Sequence, residues 1–223
     1  MAADTVLVTG GAGYIGSHAA KALREAGHRV VIYDNLSAGH RAAALGAPLV
    51  VGDIRDVDAL RRAIRQSGAG AVMHFAAWLS VADSVRDPLG YYRNNVQGAL
   101  ATLEAMAHEN CRLFVFSSTC AVYGEPVETP LRESHPTNPI NAYGQTKLAV
   151  EHALPHVERA HGIRFVALRY FNAAGADPAG ELGEDHSPEV HVIPRALAAA
   201  AAGTPIDIFG EDYPTPDGTC LRD

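Results

Sequence analysis

The sequence has few cysteines, no long hydrophobic run and no excess of positive charge, and each absence argues against a class of protein. Its three cysteines, Cys111, Cys120 and Cys220, form no CxxC pair, which favours a reducing compartment over a disulfide framework. No apolar run approaches the roughly 18 residues that cross a bilayer, and no export signal precedes the first apolar segment. We therefore expect a cytoplasmic protein with no membrane partner.

The charge balance also argues against a nucleic-acid partner, because 25 acidic residues outnumber 18 Lys and Arg residues and give a net charge of -7. A hydrophobic content of 48% and a charged content of 19% are typical of a folded globule rather than a disordered chain. A length of 223 residues is enough for one large domain, or for one domain and part of another.

Short runs rich in β-branched residues alternate with helical patterns over the first 170 residues. Strands are predicted at Thr5–Val8, Val30–Tyr33, Leu49–Val51, Ala71–Phe75, Leu113–Phe116 and Phe165–Leu168. Helices are predicted at Ile15–Ala26, Val57–Gln66, Tyr91–Glu109 and Asn141–His161. This alternation predicts an α/β fold of the Rossmann type, a doubly wound parallel sheet whose strands are joined by crossover helices.

The composition changes after Tyr170, where glycine, proline and acidic residues become frequent. A further helix is predicted at Pro194–Ala202 within this part. We expect an NAD-binding Rossmann domain at 1–173 and part of a smaller substrate-binding region at 174–223. Because the sequence stops at Asp223 without a closing helix or strand, we expect it to be a fragment.

A glycine-rich turn lies between the first predicted strand and the first predicted helix, with the sequence GGAGYIG from Gly10 to Gly16. Glycines at such a turn let the backbone approach a pyrophosphate at the start of the helix, so Gly10, Gly13 and Gly16 are candidate dinucleotide contacts. The spacing is GxxGxxG, and a turn with a purely structural role is the alternative.

Two aspartates follow the second and third predicted strands. Asp34 lies 18 residues after Gly16, close to the ~20-residue spacing of the carboxylate that binds the adenosine ribose. Its negative charge would repel a 2′-phosphate, which favours NAD over NADP. Asp53 is a candidate contact for the adenine, and a capping role is the alternative for both residues.

Small and polar residues follow the fourth and fifth predicted strands, at the sheet edge where a dinucleotide would lie. The segment Phe75-Ala76-Ala77 leaves room for the cofactor, and Asn94 on the next helix is a candidate contact. The segment Ser117-Ser118-Thr119 brings hydroxyl groups that either hold a substrate hydroxyl or satisfy their own turn.

Tyr143 and Lys147 are the most informative pair in the sequence. Residues four apart share one face of a helix, so the Lys147 ammonium can stabilise a Tyr143 phenolate and lower its pKa from about 10 toward neutral pH. Tyr143 is therefore a candidate proton shuttle.

Two groups that contain histidine invite interpretation as metal sites, and we expect neither to hold a metal. His152 and His156 have a helical spacing, but they lack the HExxH pattern and Pro155 is expected to interrupt the helix. The second group lies in a predicted loop near the substrate, without a regular ligand spacing. Its members are Glu184, Asp185, His186, Glu189 and His191.

A resemblance to a known family is carried by five segments, TGGAGYIG, FSSTCAVYG, YGQTK, YFNAAGADP and FGEDYPTPDGTCLRD. They are similar to the extended short-chain dehydrogenase/reductase superfamily and, within it, to the UDP-glucose 4-epimerases. The resemblance covers essentially the whole sequence, and the later segments are the more specific. It implies NAD as cofactor, a UDP-sugar as substrate, and a homodimer formed through the helices at Tyr91–Glu109 and Asn141–His161.

The resemblance also assigns roles by position. Its catalytic group is Tyr143, Lys147 and Thr119. Its substrate contacts are Thr119, Tyr143, Asn172, Val192, Phe209 and Arg222, the last suited to a diphosphate. Its cofactor contacts are Gly10, Gly13, Tyr14, Ile15, Gly16, Asp34, Asn35, Asp53, Ile54, Phe75, Ala76, Ala77, Asn94, Tyr143, Lys147 and Phe171.

The implied reaction is a transient oxidation at C4 of a UDP-hexose. Tyr143 takes the proton of the 4-hydroxyl while C4 gives a hydride to NAD, and hydride return to the other face of the 4-keto sugar inverts C4. UDP-galactose is thereby converted to UDP-glucose. Epimerases of UDP-xylose, UDP-arabinose or UDP-N-acetylhexosamines are the alternatives, and a non-catalytic NAD sensor is a further one.

Three features bear on how closely the chain follows this family. Cys120-Ala121 stands where 4,6-dehydratases have an Asp-Glu pair, which argues against that reaction. Leu79 stands where some members have a lysine that reaches the cofactor phosphates, so NAD is expected to be held less tightly. The family also continues beyond Asp223, and that part completes the sugar-nucleotide pocket.

Overall fold

Six parallel strands form one sheet in this computed structural model, which describes residues 5–220. The strands are β1 (Thr5–Thr9), β2 (Arg29–Asp34), β3 (Leu49–Val51), β4 (Ala71–His74), β5 (Leu113–Ser117) and β6 (Arg164–Leu168). Their order in the sheet is β3-β2-β1-β4-β5-β6. The chain therefore winds outward in both directions from β1, and the carboxyl ends of β1 and β4 meet at the point where ligands bind in such sheets.

The predicted Rossmann-type fold is confirmed, and every predicted strand is present with bounds that differ by at most one residue at either end. All five residues of β1 are buried, because helices cover both faces of the sheet. Leu7 packs in one core cluster with Leu60 and Met106, while its neighbours Val6 and Val8 pack in another. The alternation of side chains along the strand thus feeds two cores, one on each face.

Helices alternate with these strands. They are α1 (Tyr14–Glu25), α2 (Val57–Ser67), α3 (Val81–Arg86), α4 (Pro88–Tyr91), α5 (Gly98–His108), α6 (Ala142–His161) and α7 (Val192–Ala202). Short 3-10 turns lie at Arg41–Ala44 and Cys120–Val122. In the part of the chain that the structure describes, every helix is too short or too polar to traverse a bilayer.

The helix predicted at Tyr91–Glu109 is divided, which the periodicity of the sequence did not indicate. A π-helical segment, Tyr92–Gln97, separates α4 from α5. Its two adjacent amides, Asn94 and Asn95, are both buried, and a wider helical turn is a common way of placing such side chains at functional sites.

The prediction that Pro155 interrupts its helix is wrong, because α6 continues through it to His161. Leu148, Val150 and Leu154 pack this helix against the body of the protein. Pro155 itself is exposed, so water can reach the carbonyl group that a proline leaves without a helical partner.

The chain divides into two compact units, Met1–Phe171 and Asn172–Asp223. The first unit contains the whole sheet, and the second contains α7. The functional division predicted after residue 173 lies two residues beyond this structural boundary and remains a prediction.

Candidate active site

The glycine-rich turn between β1 and α1 lies against the loop that follows β4. Gly10 has a φ of +70°, and a Cβ atom there would lie 2.5 Å from the backbone nitrogen of Ala76. A Cβ atom at Gly16 would collide with the carbonyl oxygen of Gly10. Only glycine fits at these two positions, so the start of α1 at Tyr14 is bordered by bare backbone, an arrangement that suits a phosphate.

Asp34 supports this turn from the end of β2. Its buried carboxylate accepts hydrogen bonds from the backbone nitrogen of Ala12 at 3.0 Å and of Leu36 at 2.8 Å. The next residue, Asn35, accepts a hydrogen bond from the backbone nitrogen of Ser37 at 3.0 Å. A carboxylate beside the glycine turn is where the ribose-binding acid of a dinucleotide site lies, so the position predicted from spacing agrees with the geometry.

Asp53 is occupied locally by Arg55. Its Oδ1 accepts from the Arg55 backbone nitrogen at 2.8 Å and from Nε at 2.9 Å, and its Oδ2 lies 2.5 Å from Nη2. Hydrogen bonds from Arg55, although opposed by partial burial, lower the pKa of Asp53. The alternative that Asp53 closes its own turn is thus realised, and its adenine contact remains a prediction. Ile54 is buried next to Gly98 on α5.

The loop after β4 is joined to β1 directly. The backbone nitrogens of Phe75 and Ala76 both donate to the carbonyl oxygen of Thr9, at 2.9 and 3.1 Å. The Thr9 hydroxyl also lies 2.8 Å from Nδ1 of His74, whose pKa burial lowers to about 3, with a smaller effect of the Lys147 charge. The predicted cofactor segment at 75–77 therefore lies beside the glycine turn.

Asn95 connects this loop to α6, and sequence reasoning missed it in favour of its neighbour Asn94. Its Oδ1 accepts from the backbone nitrogen of Trp78 at 2.8 Å and from Nδ2 of Asn94 at 2.9 Å. Its Nδ2 donates to the Trp78 carbonyl at 3.0 Å and to Thr146 Oγ1 at 3.2 Å. The two amides thus act together, with Asn95 fixing the loop and Asn94 held beside it.

Helix α6 places Tyr143 and Lys147 above the end of β5. The helix starts at a cap in which Asn141 Oδ1 accepts from the backbone nitrogen of Gly144 at 2.8 Å. A Cβ atom at Gly144 would lie 2.8 Å from the carbonyl oxygen of Ala121. Glycine therefore permits the close approach of the helix to the turn that follows Thr119.

Lys147 is buried and held by backbone. Its Nζ donates to the carbonyl oxygen of Ser117 at 2.8 Å and lies 5.1 Å from the ring centroid of Phe116. It lies 5.9 Å from the ring centroid of Tyr143. The helix face predicted from the spacing of the pair is confirmed, and so is their place beside the end of β5.

The expectation that Lys147 lowers the pKa of Tyr143 is wrong for the protein by itself. Burial raises the pKa of Tyr143 to about 12, although the hydrogen bond with the Thr119 side chain lowers it. Burial also lowers the pKa of Lys147 to about 7, so the lysine is only partly charged at neutral pH. Desolvation is the largest effect on the Tyr143 pKa, and no lowering by Lys147 accompanies it. A phenolate here would therefore need a further positive charge.

A polar network behind the pair was missed by sequence reasoning. Glu151 accepts a hydrogen bond from the Ser118 hydroxyl and pairs with Arg169, whose Nε lies 3.1 Å from both carboxylate oxygens. Hydrogen bonding to Glu151, opposed by burial, raises the pKa of Arg169. Glu151 follows Lys147 by four residues, so its shared helix face was a signal in the sequence.

This network fixes the segment that carries Thr119. Ser118 lies between the Ser117 carbonyl that holds Lys147 and the Thr119 side chain that meets Tyr143. The Ser117 hydroxyl shares a hydrogen bond with the Tyr170 hydroxyl. Three consecutive residues at the end of β5 are thus held by four separate contacts, with Lys147, Tyr170, Glu151 and Tyr143.

The remaining predicted residues are more exposed. Phe171 and Leu79 are each 44% exposed in the first unit. Asn172, Val192 and Phe209 belong to the second unit, where Val192 is 70% and Phe209 85% exposed. Arg222 lies outside the described residues. The cofactor role of Phe171 and the substrate roles of Asn172, Val192, Phe209 and Arg222 remain predictions.

The two groups with histidine differ from each other. His152 and His156 are exposed on α6, and His156 Nδ1 lies 2.8 Å from Arg159 Nη2. In the predicted loop, Glu184, His186, Glu189 and His191 lie together, although their spacing had no regular pattern.

Comparison with known proteins places the chain in a family. Residues 6–223 match the model of the NAD dependent epimerase/dehydratase family. The chain belongs to this family. Its cofactor is therefore NAD, and the glycine turn, the open start of α1 and the buried Asp34 fit that dinucleotide.

Similar proteins in this family are UDP-glucose 4-epimerases. The chain is 49% identical to the one of Halalkalibacterium halodurans, over 98% of this chain and 66% of that protein. It superposes with TM-score 0.93 and 51% identity on the Brucella ovis enzyme in complex with NAD, over 97% of this chain and 67% of that one. For the Bifidobacterium longum enzyme in complex with NAD+ and UDP, the TM-score is 0.90 at 36% identity, over 98% and 69%. The chain spans 66% of the length of the first of these relatives, and the predicted family resemblance is confirmed.

Proposed function

We propose that this chain carries the NAD-binding and proton-transfer part of a UDP-sugar 4-epimerase that interconverts UDP-galactose and UDP-glucose. The observation that carries the proposal is the assembly of Tyr143, Lys147 and Thr119 at the carboxyl edge of the sheet, next to the glycine turn. Relatives about 50% identical that are named UDP-glucose 4-epimerase support the choice of reaction.

In this proposal the side chains divide the work. The phenolic oxygen of Tyr143 takes the proton of the sugar 4-hydroxyl and later returns it. Thr119, already hydrogen-bonded to Tyr143, orients that hydroxyl. Lys147, held on the Ser117 carbonyl, places its Nζ beside both. When bound, NAD supplies the hydride acceptor and a positive charge that favours the Tyr143 phenolate.

Cofactor and substrate contacts follow the residues predicted above. Gly10, Gly13 and Gly16 with the start of α1 would hold the pyrophosphate, and Asp34 would bind the adenosine ribose. Asn172, Val192, Phe209 and Arg222 are proposed to contact the UDP-sugar. The UDP bound to the Bifidobacterium longum enzyme supports a uridine nucleotide as the recognised group.

We also propose a cytoplasmic homodimer. The described cysteines are all free, which suits a reducing compartment. Val85 on α3, Leu89 on α4 and Leu100 on α5 are exposed apolar side chains of the kind found at subunit interfaces. The exposed positions of α6, such as His152 and His156, are more polar, so we place the main contact at α3–α5. Sedimentation of Leu89→Glu against the unsubstituted chain tests this assignment.

The activity is tested by supplying NAD and UDP-galactose and measuring UDP-glucose. We expect turnover that Tyr143→Phe reduces by about 10²- to 10⁴-fold, the range for loss of an acid–base group, with NAD affinity unchanged. Turnover that survives in Tyr143→Phe would contradict the assignment. If this chain and a C-terminally longer one both bind NAD and neither converts UDP-galactose, the result would favour a sensor over an enzyme.

A further inference from the structure

Four side chains of the second unit converge on one point. Glu184, His186, Glu189 and His191 each place one nitrogen or oxygen atom within 4.8 Å of the other three. His186 Nδ1 lies 3.2 Å from Glu184 Oε1 and 3.8 Å from Glu189 Oε2. His191 Nδ1 lies 3.5 Å from Glu189 Oε1 and also contacts Glu184 Oε1. Each imidazole therefore faces both carboxylates, rather than forming a separate pair with one.

These separations are close to those between the ligands of one metal ion. Ligand atoms at 2.0–2.1 Å from a tetrahedral Zn²⁺ lie about 3.3 Å from one another. The separations of 3.2, 3.5 and 3.8 Å lie near this value, with those of Glu189 divided between its two oxygens. The contact between His191 and Glu184 is shorter, so a bound ion would move these two side chains apart. Two imidazole nitrogens and two carboxylate oxygens are a donor set that Zn²⁺ accepts.

The electrostatics of the cluster also call for a positive charge. Carboxylate oxygens and the unprotonated nitrogen of a neutral imidazole are all acceptors, so they repel one another unless a proton or a cation lies between them. The side chains differ in exposure: Glu184 is 10%, His186 18% and Glu189 22% exposed, whereas His191 is 42% exposed. The Nδ1 atom of His191 is itself shielded from solvent. Water therefore has limited access to these facing atoms and can do little to screen the repulsion between them.

The carboxylate of Glu189 is oriented before any ion arrives. Its Oε1 accepts hydrogen bonds from the backbone nitrogens of Val190 and His191 at 2.8 and 2.9 Å. His191 is the residue that precedes α7. An ion held here would therefore attach the segment at 184–191 to the start of that helix.

We propose that Glu184, His186, Glu189 and His191 form a structural binding site for Zn²⁺. Since the protein fills all four positions, the ion would have no open position for chemistry. The proposal departs from the expectation that the chain holds no metal. It does not depend on the proposed epimerase activity.

The test uses the 223-residue chain, freed of metal with a chelator and titrated with Zn²⁺ by calorimetry and with Co²⁺ by visible absorption. We expect a single equivalent of each ion and an intense tetrahedral Co²⁺ band. Because no cysteine is a ligand, the sulfur-to-cobalt charge-transfer band should be missing. His186→Asn/His191→Asn should lower the Zn²⁺ affinity at least about 100-fold, beyond the loss seen for outer-shell changes.

A matched control is available on α6. His152→Asn/His156→Asn removes two exposed histidines of the first unit and should leave Zn²⁺ affinity unchanged. Equal losses of Zn²⁺ affinity in the two double variants, or no saturable Zn²⁺ binding by the unsubstituted chain, would overturn the proposal. The four side chains would then be held together by protons on the histidines. X-ray absorption at the zinc edge needs no variant: four nitrogen or oxygen ligands with the outer-shell scattering of two imidazoles support the site, and a sulfur ligand contradicts it.

Discussion

The two units hold their predicted functional side chains in different ways. In the first unit, Thr119 and Lys147 are buried and tied to neighbouring groups by hydrogen bonds. In the second unit, Val192 and Phe209 expose most of their surface. Reactive groups are thus fixed by the ends of parallel strands, while the proposed nucleotide contacts lie on exposed positions. The contrast teaches that the proposed proton-transfer groups are fixed by the sheet, whereas the proposed recognition residues lie in the less buried part of the chain.

Gly10→Ala should break the first unit's site most completely. The substitution adds a Cβ atom 2.5 Å from the Ala76 nitrogen at a φ of +70°, so the turn must move away from the cofactor. We expect NAD affinity to fall at least about 100-fold, equivalent to about 2.7 kcal/mol. Gly27→Ala is the matched control, because Gly27 has a φ of +88° with open space around it. Calorimetry with NAD should show equal affinity for Gly27→Ala and the unsubstituted chain, and equal losses in both variants would contradict the steric account.

Glu151→Gln should weaken catalysis without removing a catalytic residue. Loss of the charge loosens the bond to Arg169 and Ser118, and with it the position of Thr119. We expect kcat to fall about 10- to 100-fold, the range for small displacements of reacting groups, with KM and NAD affinity nearly unchanged. Glu158→Gln, an exposed change on the same helix, is the control. If KM rose together with the fall in kcat, or if unfolding at the assay temperature accounted for the fall, a positioning role for Glu151 would be excluded.

Phe209→Ala should separate the roles of the two units, because it is expected to weaken binding of the UDP-sugar without affecting the chemical step. Phe209 is 85% exposed, so its loss should change the free energy of unfolding by less than about 0.5 kcal/mol. If it contacts the nucleotide, KM for UDP-galactose should rise about tenfold. Ile208→Ala removes a neighbour that is 72% exposed and should leave KM unchanged. Equal effects of the two substitutions would remove Phe209 from the proposed contacts.

Lys147→Met should raise stability while abolishing activity. Burial lowers the pKa of Lys147 to about 7 from its usual 10.5. Below pH 7 both folded and unfolded chains carry the proton and the folded chain bears the full cost of burying it. Between pH 7 and 10.5 the unfolded chain binds more protons, so stability of the unsubstituted chain rises with pH. The Tm advantage of Lys147→Met, about 2–4 °C per kcal/mol, should therefore be largest below pH 7 and vanish above 10.5. A constant difference across this range would contradict the burial of a charged lysine.

Much of the first unit could be predicted from the sequence because its signals are local. Continuous apolar runs such as Val6-Leu7-Val8 mark buried parallel strands, and the four-residue spacing of Tyr143 and Lys147 fixes one helix face. The position of Asp34 followed from its distance to the glycine turn. These features depend on neighbours in the chain, which a sequence displays directly.

Features that depend on distant partners could not be predicted in the same way. Arg169 meets Glu151 across 18 positions, and Asn95 meets Thr146 across 51. The pKa of Tyr143 depends mainly on burial, which raises it where a lowered value was expected. The π-helical segment at Tyr92–Gln97 contains the Asn95 side chain that bonds to Trp78, a contact 17 positions away that the local sequence does not display.

The second unit shows the limit most clearly. Glu184, His186, Glu189 and His191 follow no regular ligand pattern, and only the path of the loop brings their atoms together. The helix α7, by contrast, was predicted from its alanine-rich sequence and starts two residues earlier than expected. Periodic segments were therefore accessible to sequence reasoning, and irregular ones were not.

The central claim is that the first unit holds Tyr143 partly buried and neutral until NAD provides the charge that ionises it. Ultraviolet titration of phenolate absorbance, taken as the difference between the unsubstituted chain and Tyr143→Phe, measures this pKa directly. We predict a value of about 12 without NAD and a value several units lower with NAD bound. A pKa already near neutral without NAD, or one that NAD leaves unchanged, would contradict the account.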